Sequence, residues 1–367
     1  MSDKRLSFLG ILAIVSVAGA VFVSQFVNRS KTTSSGTGYL IQGLDPAAIA
    51  KIAVGKGDEA FTLRRAGNGF VVENKDNYPA DTMMINNLLT SCMDIRTVEL
   101  YTQDEANYKD LGAGEEDAQS VVKFLDLGGK IITGVIIGKD CPSGGMYYGR
   151  RVGDKKVYVM DNVPWPGSSP LEYIDRNLIS MSKAEIESVT VTSPQGSYTL
   201  VPEANSAEAM LKELPAGKKE KKNECSQVFS AIMNLRFDDV NAVSKMTGLK
   251  FDREYTCLLK DSTLYLIEIA QKDSNTYVKC NVAFTDKTQV RKEQGVESRE
   301  ELEKKEAKLL AKEKTQKLQK TFEGWVYEIP SYRADYMTKT LDELVEDIAP
   351  AKPADANEPK KTVQKSK

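Results

Sequence analysis

The chain has 367 residues and a formal net charge of −2 at pH 7, with 41% apolar and 28% charged residues. This composition is typical of a folded chain of about two ordinary domains rather than of a disordered protein. The near-neutral charge, without a basic stripe, argues against nucleic acid as a partner. The sequence contains no histidine. That absence excludes Ser-His-Asp and Cys-His catalysis and the zinc sites that need histidine ligands.

An uncharged run of 22 residues, Leu6–Val27, lies near the N-terminus and is long enough to span a bilayer. Lys4 and Arg5 precede the run, and basic residues also follow it, so the positive-inside bias is weak. The short N-terminal tail and the large hydrophilic remainder favour an anchor in the inner (cytoplasmic) membrane. The N-terminus would lie inside and the bulk of the chain would be extracytoplasmic.

A cleaved signal peptide is the alternative to this anchor. Ala18-Gly19-Ala20 resembles a small-x-small cleavage site after a basic region. The apolar run continues beyond that site to Val27, which favours the uncleaved anchor. Residues 28–43, rich in Ser, Thr and Gly, are predicted to form a linker.

Two parts of the remaining chain match each other. Ile49–Val54 and Ile186–Val191 both alternate apolar and polar residues, and the next strands, Phe61–Leu63 and Tyr198–Leu200, follow with the same spacing. The match predicts two tandem α+β repeats, each with the order β-β-α-β-β-β-β-α. Each repeat would be a mainly antiparallel sheet with helices packed on it.

Each repeat contains a helix after its second strand. Asp81 is the predicted N-cap of the first helix. In both helices apolar residues recur at helical spacing and form one apolar face. These faces consist of Ile85, Leu88, Leu89, Cys92 and Met93 in the first repeat, and of Val228, Phe229, Ile232 and Met233 in the second.

The helices are followed by meanders of strands, and each repeat is predicted to close with a terminal helix, Leu171–Ile179 or Ala334–Ile348. Gly128-Gly129 and Asp261-Ser262 are typical hairpin turns. The predicted strands are Ser120–Leu127, Ile131–Gly138, Gly145–Arg151 and Lys156–Met160 in the first repeat, and Arg253–Lys260, Leu264–Ala270 and Asn275–Phe284 in the second.

A charged helical insert, residues 285–321, distinguishes the second repeat. Ser298 and Glu301 have capping-box spacing, and Glu–Lys pairs follow at i,i+4. The insert is interpreted as a solvated helix protruding from a hairpin, or alternatively as an arm that docks a partner.

Residues with catalytic potential form no recognisable site. The five cysteines form no CxxC motif. Cys257 and Cys280 are predicted not to be bonded, because another strand lies between the two strands that carry them. Gly112-Ala113-Gly114 and Gly144-Gly145 do not open a helix in a βαβ unit, so they are interpreted as turns. We therefore predict no catalytic residue, no metal site and no cofactor.

Trp165 lies between prolines in the segment Asp161–Pro170. It is either part of a rigid connector that packs on the domain boundary or an exposed anchor for a partner.

The sequence resembles the domain of unknown function 4340 family of bacterial envelope proteins. The resemblance is closer over Leu44–Ile179 than over Met181–Ile348, and the insert and tail depart from it. The motifs that carry it are the strand pair 49–54 and 61–65, Gly69–Val72 before Tyr78–Asp81, Tyr108–Gly112, Ile137–Lys139, Tyr147–Arg151 before Val157–Val159, and Ile174–Ile179.

That resemblance implies a membrane-anchored accessory protein, often encoded beside ABC-2-type transporter components and auxiliary proteins similar to those of gliding-motility systems. It supplies no catalytic residues. We therefore expect a non-enzymatic accessory or scaffold to an ABC-type transporter or envelope complex. An exported module that binds polysaccharide or peptide and, less favoured, a carboxylate-dependent hydrolase are the alternatives.

The predicted organisation of the chain follows from these features. It consists of a cytoplasmic tail 1–5, a transmembrane anchor 6–27, a linker 28–43, repeat 1 at 44–179, repeat 2 at 180–349 and a disordered tail 350–367.

Overall fold

The computed structural model describes residues 38–204, 206, 208–288 and 298–348. The chain divides between Arg176 and Asn177 into two compact units, here called unit 1 and unit 2. The predicted fold class, antiparallel sheets combined with helices, is confirmed.

Unit 1 is built on one antiparallel sheet of ten strands, whose order is β1-β6-β10-β9-β8-β7-β2-β3-β4-β5. Its elements are β1 (Gly38–Tyr39), β2 (Lys51–Val54), β3 (Phe61–Ala66), β4 (Gly69–Val72), β5 (Tyr78–Pro79), α1 (Thr82–Met93), β6 (Arg96–Thr102), α2 (Tyr108–Leu111), β7 (Ser120–Leu125), β8 (Ile131–Asp140), β9 (Tyr147–Arg151) and β10 (Val157–Asp161).

Helix α1 begins where the sequence places it. The Asp81 carboxylate accepts the Met83 N–H at 2.7 Å, which satisfies one of the free donors at the helix start. The whole predicted face is buried, namely Ile85, Leu88, Leu89, Cys92 and Met93.

Unit 2 contains an eight-stranded antiparallel sheet with the order β14-β13-β12-β18-β19-β20-β21-β17, and two strand pairs, β11-β16 and β15-β22. Its elements are β11 (Asn177–Ile179), β12 (Ile186–Ser193), β13 (Gly196–Pro202), β14 (Ala209–Leu211), β15 (Lys218–Glu220), α3 (Lys222–Phe229), β16 (Leu235–Arg236), β17 (Asp239–Ala242), β18 (Arg253–Leu259), β19 (Thr263–Lys272), β20 (Asn275–Phe284), α4 (Arg299–Phe322), β21 (Trp325–Ile329), α5 (Ser331–Met337), α6 (Leu341–Leu344) and β22 (Val345–Asp347).

The core of unit 2 lies between its large sheet and α3. Val228 and Phe229 of α3 are buried, and the fully buried Tyr255 of β18 donates its hydroxyl to the Val228 carbonyl at 2.8 Å. The same carbonyl accepts the Ala231 N–H at 3.2 Å, so the tyrosine hydroxyl adds a second bond at the end of α3. The helix ends at Phe229, so the predicted helical positions Ile232 and Met233 lie in the turn that follows.

Both predicted terminal helices need correction. In place of a helix over Leu171–Ile179 the chain forms one 3-10 turn, Pro170–Tyr173, and then β11. Ile174 leaves the turn in an extended conformation, and β11 pairs with β16. Pairing with a strand distant in sequence therefore overrides the local helical pattern. Residues 334–348 likewise divide into the end of α5, α6 and β22, which pairs with β15.

The predicted linker also ends earlier than expected. Residues 38–43 include β1 and the buried Leu40 and Ile41, so they belong to unit 1. None of the helices that the structure describes is both long and apolar enough to cross a bilayer. The predicted span 6–27 lies outside the described residues, as do most of the linker and the tail 350–367.

Helix α4 is packed on the sheet and does not protrude from it. The predicted capping box of Ser298 and Glu301 is present. Strand β21 pairs with only the first residues of β20, and α4 lies against the rest of that edge, where the Gln319 Oε1 accepts the Val282 N–H at 2.8 Å. Ala311 and Thr315 are buried on the same side. The helix thus covers a strand edge that would otherwise be open to unwanted pairing.

Replacing Gln319 tests this role. In Gln319→Ala the Val282 N–H loses its acceptor, so we expect the free energy of unfolding of unit 2 to fall by about 1–2 kcal/mol. Amide exchange in the 278–284 peptide should accelerate. Gln316→Ala is the matched control because Gln316 is exposed on the same helix. Equal exchange rates in the two variants would contradict the proposed contact.

Candidate functional site

The thiols of the chain are placed for packing rather than for reaction. All five cysteines are free and buried. Burial raises the pKa of Cys92 and of Cys257 to about 12, and that of Cys225 to about 11. Because the thiolate is the nucleophile and the metal ligand, these groups are inert near neutral pH.

Neither a disulfide between Cys257 and Cys280 nor a metal-binding group is found among the described residues. Cys257 and Cys280 lie on β18 and β20 with β19 between them, and both are free, as predicted. Among the residues that the structure describes, no group of three or more Cys, Asp and Glu side chains is placed to hold a metal ion.

The structure draws attention instead to the Trp165 connector, defined as residues 162–169, which follows β10. Its first residue, Asn162, has a left-handed backbone with φ 55° and donates its N–H to the Asp161 carboxylate at 2.7 Å. The Asn162 side-chain amide donates to the Asp94 carbonyl at 3.3 Å. Asn tolerates this conformation better than most residues, and the chain bends at this position at the end of β10.

The other end of the connector is held by Glu172. Its carboxylate accepts the N–H groups of Ser168 and Ser169 at 3.0 and 3.1 Å, and the Ser168 hydroxyl at 3.3 Å. The Ser169 hydroxyl completes a capping box by accepting the Leu171 N–H at 3.3 Å. Such reciprocal caps fix the entry of the chain into a helical turn.

Gly167 and Tyr173 complete the connector's attachment to the core. The Gly167 N–H donates to the Tyr173 hydroxyl at 3.1 Å, and the Tyr173 ring packs on Phe61 of β3 at 5.5 Å. Burial raises the pKa of Tyr173 to about 12, so the hydroxyl stays protonated. A side chain at position 167 would come within 3.0 Å of Glu172, which favours glycine there.

Trp165 lies between the two ends of the connector, which these hydrogen bonds hold in place. It is 60% exposed, and its ring meets Tyr147 edge-on, with centroids 5.5 Å apart and an interplanar angle of 86°. Pro164 and Pro166 flank it and restrict the backbone. Of the two interpretations of Trp165, the structure favours the exposed one, although the connector is also rigid.

The sequence did not predict how the connector is held. The Ser169–Glu172 spacing is a capping signal, and it could have indicated a turn beginning at Pro170. The bond from Gly167 to Tyr173 had no comparable signal because it depends on the tertiary position of the tyrosine ring.

Removing the Glu172 carboxylate should loosen the connector. In a Trp325→Phe background, where Trp165 is the remaining tryptophan, we expect Glu172→Ala to lower the fluorescence anisotropy of Trp165. We expect the lost cap to cost about 1 kcal/mol of stability. Glu59→Ala, which alters an exposed carboxylate of the same unit, serves as the control. Unchanged anisotropy in Glu172→Ala would show that the carboxylate does not hold the connector.

The thiols provide a second test. At pH 8 a thiol whose pKa is 12 is ionised to about one part in 10⁴. Burial also raises the pKa of Cys141 and of Cys280. Because all five thiols are buried, we expect an aromatic disulfide reagent to label none of them in the folded chain and all five after denaturation. Rapid labelling of folded protein would contradict the buried, protonated state.

Comparison with known proteins supplies one match. A protein-family model described as a domain of unknown function, DUF4340, matches residues 71–253. No curated protein and no solved structure matches the chain. The matched region runs from β4 of unit 1 to the start of β18 in unit 2, so both units contribute to it. Residues 71–253 therefore match the family defined by this domain of unknown function, the family that the sequence motifs indicated.

Proposed function

We propose that this chain is a non-enzymatic, membrane-anchored envelope protein that acts as an accessory or scaffold to an ABC-type transporter or another envelope complex. The Trp165 connector would be its contact with a membrane-protein partner. The observation that carries the proposal is the exposed tryptophan on a backbone fixed at both ends.

Rigid presentation favours this role for Trp165. Association costs entropy when side chains and loops become ordered on binding, and a connector that is already fixed avoids much of that cost. Tryptophan is enriched among the residues that dominate interface energies because it buries a large area and keeps an N–H donor. Tyr147, which meets the Trp165 ring, would extend the same contact.

The anchoring part of the proposal is supported by the sequence. The uncharged run Leu6–Val27 has the length of a membrane span, and Lys4 and Arg5 precede it. The accessory role beside ABC-2-type transporter components comes from the family resemblance.

We also propose that the two units are copies of one module. Strand order supports this idea: β6-β10-β9-β8-β7-β2-β3-β4 in unit 1 corresponds, position by position, to β17-β21-β20-β19-β18-β12-β13-β14 in unit 2. A helix also precedes the first strand of this order in each unit: α1 precedes β6, and α3 precedes β17. A duplicated module would give a scaffold two related surfaces.

Loss of the Trp165 ring should weaken partner recovery. When the tagged full chain is purified from native membranes in mild detergent, we expect Trp165→Ala to reduce co-purified transporter or envelope subunits by about tenfold or more. Tyr332→Ala is the matched control, because Tyr332 is an aromatic residue of similar exposure, 57%. Recovery is measured by quantitative mass spectrometry.

Two outcomes would count against the proposal. Equal recovery with the two variants would remove Trp165 from the interface, and recovery of no membrane-protein partner with the wild type would contradict the scaffold role. Enrichment of a glycan or peptide in place of a membrane protein would favour the exported binding module.

A further inference from the structure

The β7–β8 hairpin ends in an exposed apolar tip, defined here as residues 127–132. Leu127 is 93% exposed, the largest value among the large apolar residues of the part that the structure describes. Ile131 and Ile132 are 41% and 40% exposed. The turn is tight, with Gly129 in a left-handed conformation at φ 79° and its N–H donating to the Asp126 carbonyl at 3.1 Å.

The exposure pattern shows that the tip projects beyond the packed part of the sheet. Successive residues of a strand point to opposite faces. Ile131 and Ile132 are both exposed, whereas β8 is buried without interruption from Gly134 to Gly138. Both faces of the hairpin are thus covered in its middle and uncovered at its end, so the tip exposes apolar side chains on both faces.

The charge of the tip is positive. Lys130 is exposed, and no carboxylate among the described residues pairs with its ammonium group. The Asp126 carboxylate, which precedes the tip in sequence, accepts the Lys130 backbone N–H at 2.9 Å. The tip itself contains no acidic residue.

The tip also lies near the start of unit 1. Gln42, Gly43 and Leu44 line the same shallow cavity as Ile132 and Thr133. Only residues 28–37 separate the apolar run Leu6–Val27 from Gly38, and such a segment reaches about 35 Å when fully extended. If that run is the anchor, the tip is tethered within reach of the bilayer surface.

We propose that this tip inserts into the interfacial region of the bilayer, with Leu127, Ile131 and Ile132 among the acyl-chain boundary and Lys130 at anionic headgroups. The inference rests on the proposed membrane anchoring. Apolar side chains beside a cation are the composition that binds bilayer interfaces. A bilayer also accepts a projecting tip without a complementary pocket.

The contact can be tested with the full chain in vesicles containing phosphatidylglycerol. An environment-sensitive fluorophore is attached at Leu127→Cys, and at Met83→Cys as the control, since Met83 is also an exposed apolar residue of unit 1. The native cysteines are buried, so labelling is confined to the introduced one. We expect nitroxide-labelled lipids to quench position 127 at least about twofold more than position 83.

Flotation of the vesicles separates this inference from the anchoring. If the chain floats with the vesicles and the two positions are quenched equally, the tip contact is wrong and the anchoring stands. If the chain does not float, both the tip contact and the membrane anchoring are wrong. Vesicles of phosphatidylcholine alone should give weaker quenching at position 127, and so should Lys130→Gln. Fluorescence at 127 that changes with protein concentration and not with nitroxide lipid would indicate a second copy of the chain, which also overturns the proposal.

Discussion

The large sheet of each unit is held together at its middle by an antiparallel ladder between strands far apart in the chain. In unit 1 this ladder is β2 with β7, where Ile52 faces Phe124 and both side chains are fully buried. In unit 2 it is β12 with β18, where Val189 faces Cys257 and both are likewise buried. Pairing these strands closes a long loop, which costs entropy. The backbone hydrogen bonds and the buried apolar area of the paired strands offset that cost. Without them the sheet of unit 1 would separate into β2–β5 and its other six strands, and the large sheet of unit 2 into β12–β14 and β17–β21.

The exposed features depend on that frame. Tyr173, which holds the connector through Gly167, packs on Phe61 of β3, and β3 pairs with β2. The apolar tip is the far end of β7 and β8, and β7 pairs with β2 as well. A tryptophan on a fixed connector and an apolar hairpin tip are therefore both carried by the same rigid sheet. This arrangement suits a protein that contacts a partner protein through the connector and a bilayer surface through the tip.

Local patterns in the sequence were sufficient for much of the fold. Asp81 and the helical spacing after it predicted α1, and alternation with turn residues predicted the strands around Gly128-Gly129 and Asp261-Ser262. These signals are local, because a cap, a periodicity or a turn involves residues only a few positions apart.

Long-range contacts explain what the sequence could not predict. Leu178 and Ile179 form a strand because Leu235–Arg236 is available to pair with them. The charged helix α4 lies on β20, where Ala311 and Thr315 are buried and Gln319 accepts the Val282 N–H. The exposure of Trp165 was undecided for the same reason, since it depends on contacts at both ends of the connector.

The central claim is that the chain works as part of a larger membrane assembly, and the mass of that assembly tests it most directly. The chain weighs 40.6 kDa. After mild detergent extraction of native membranes, with bound detergent subtracted, the account predicts a particle that is heavier than the chain and contains other membrane-protein subunits. A particle with the mass of one chain, or of a whole number of chains and nothing else, would contradict it.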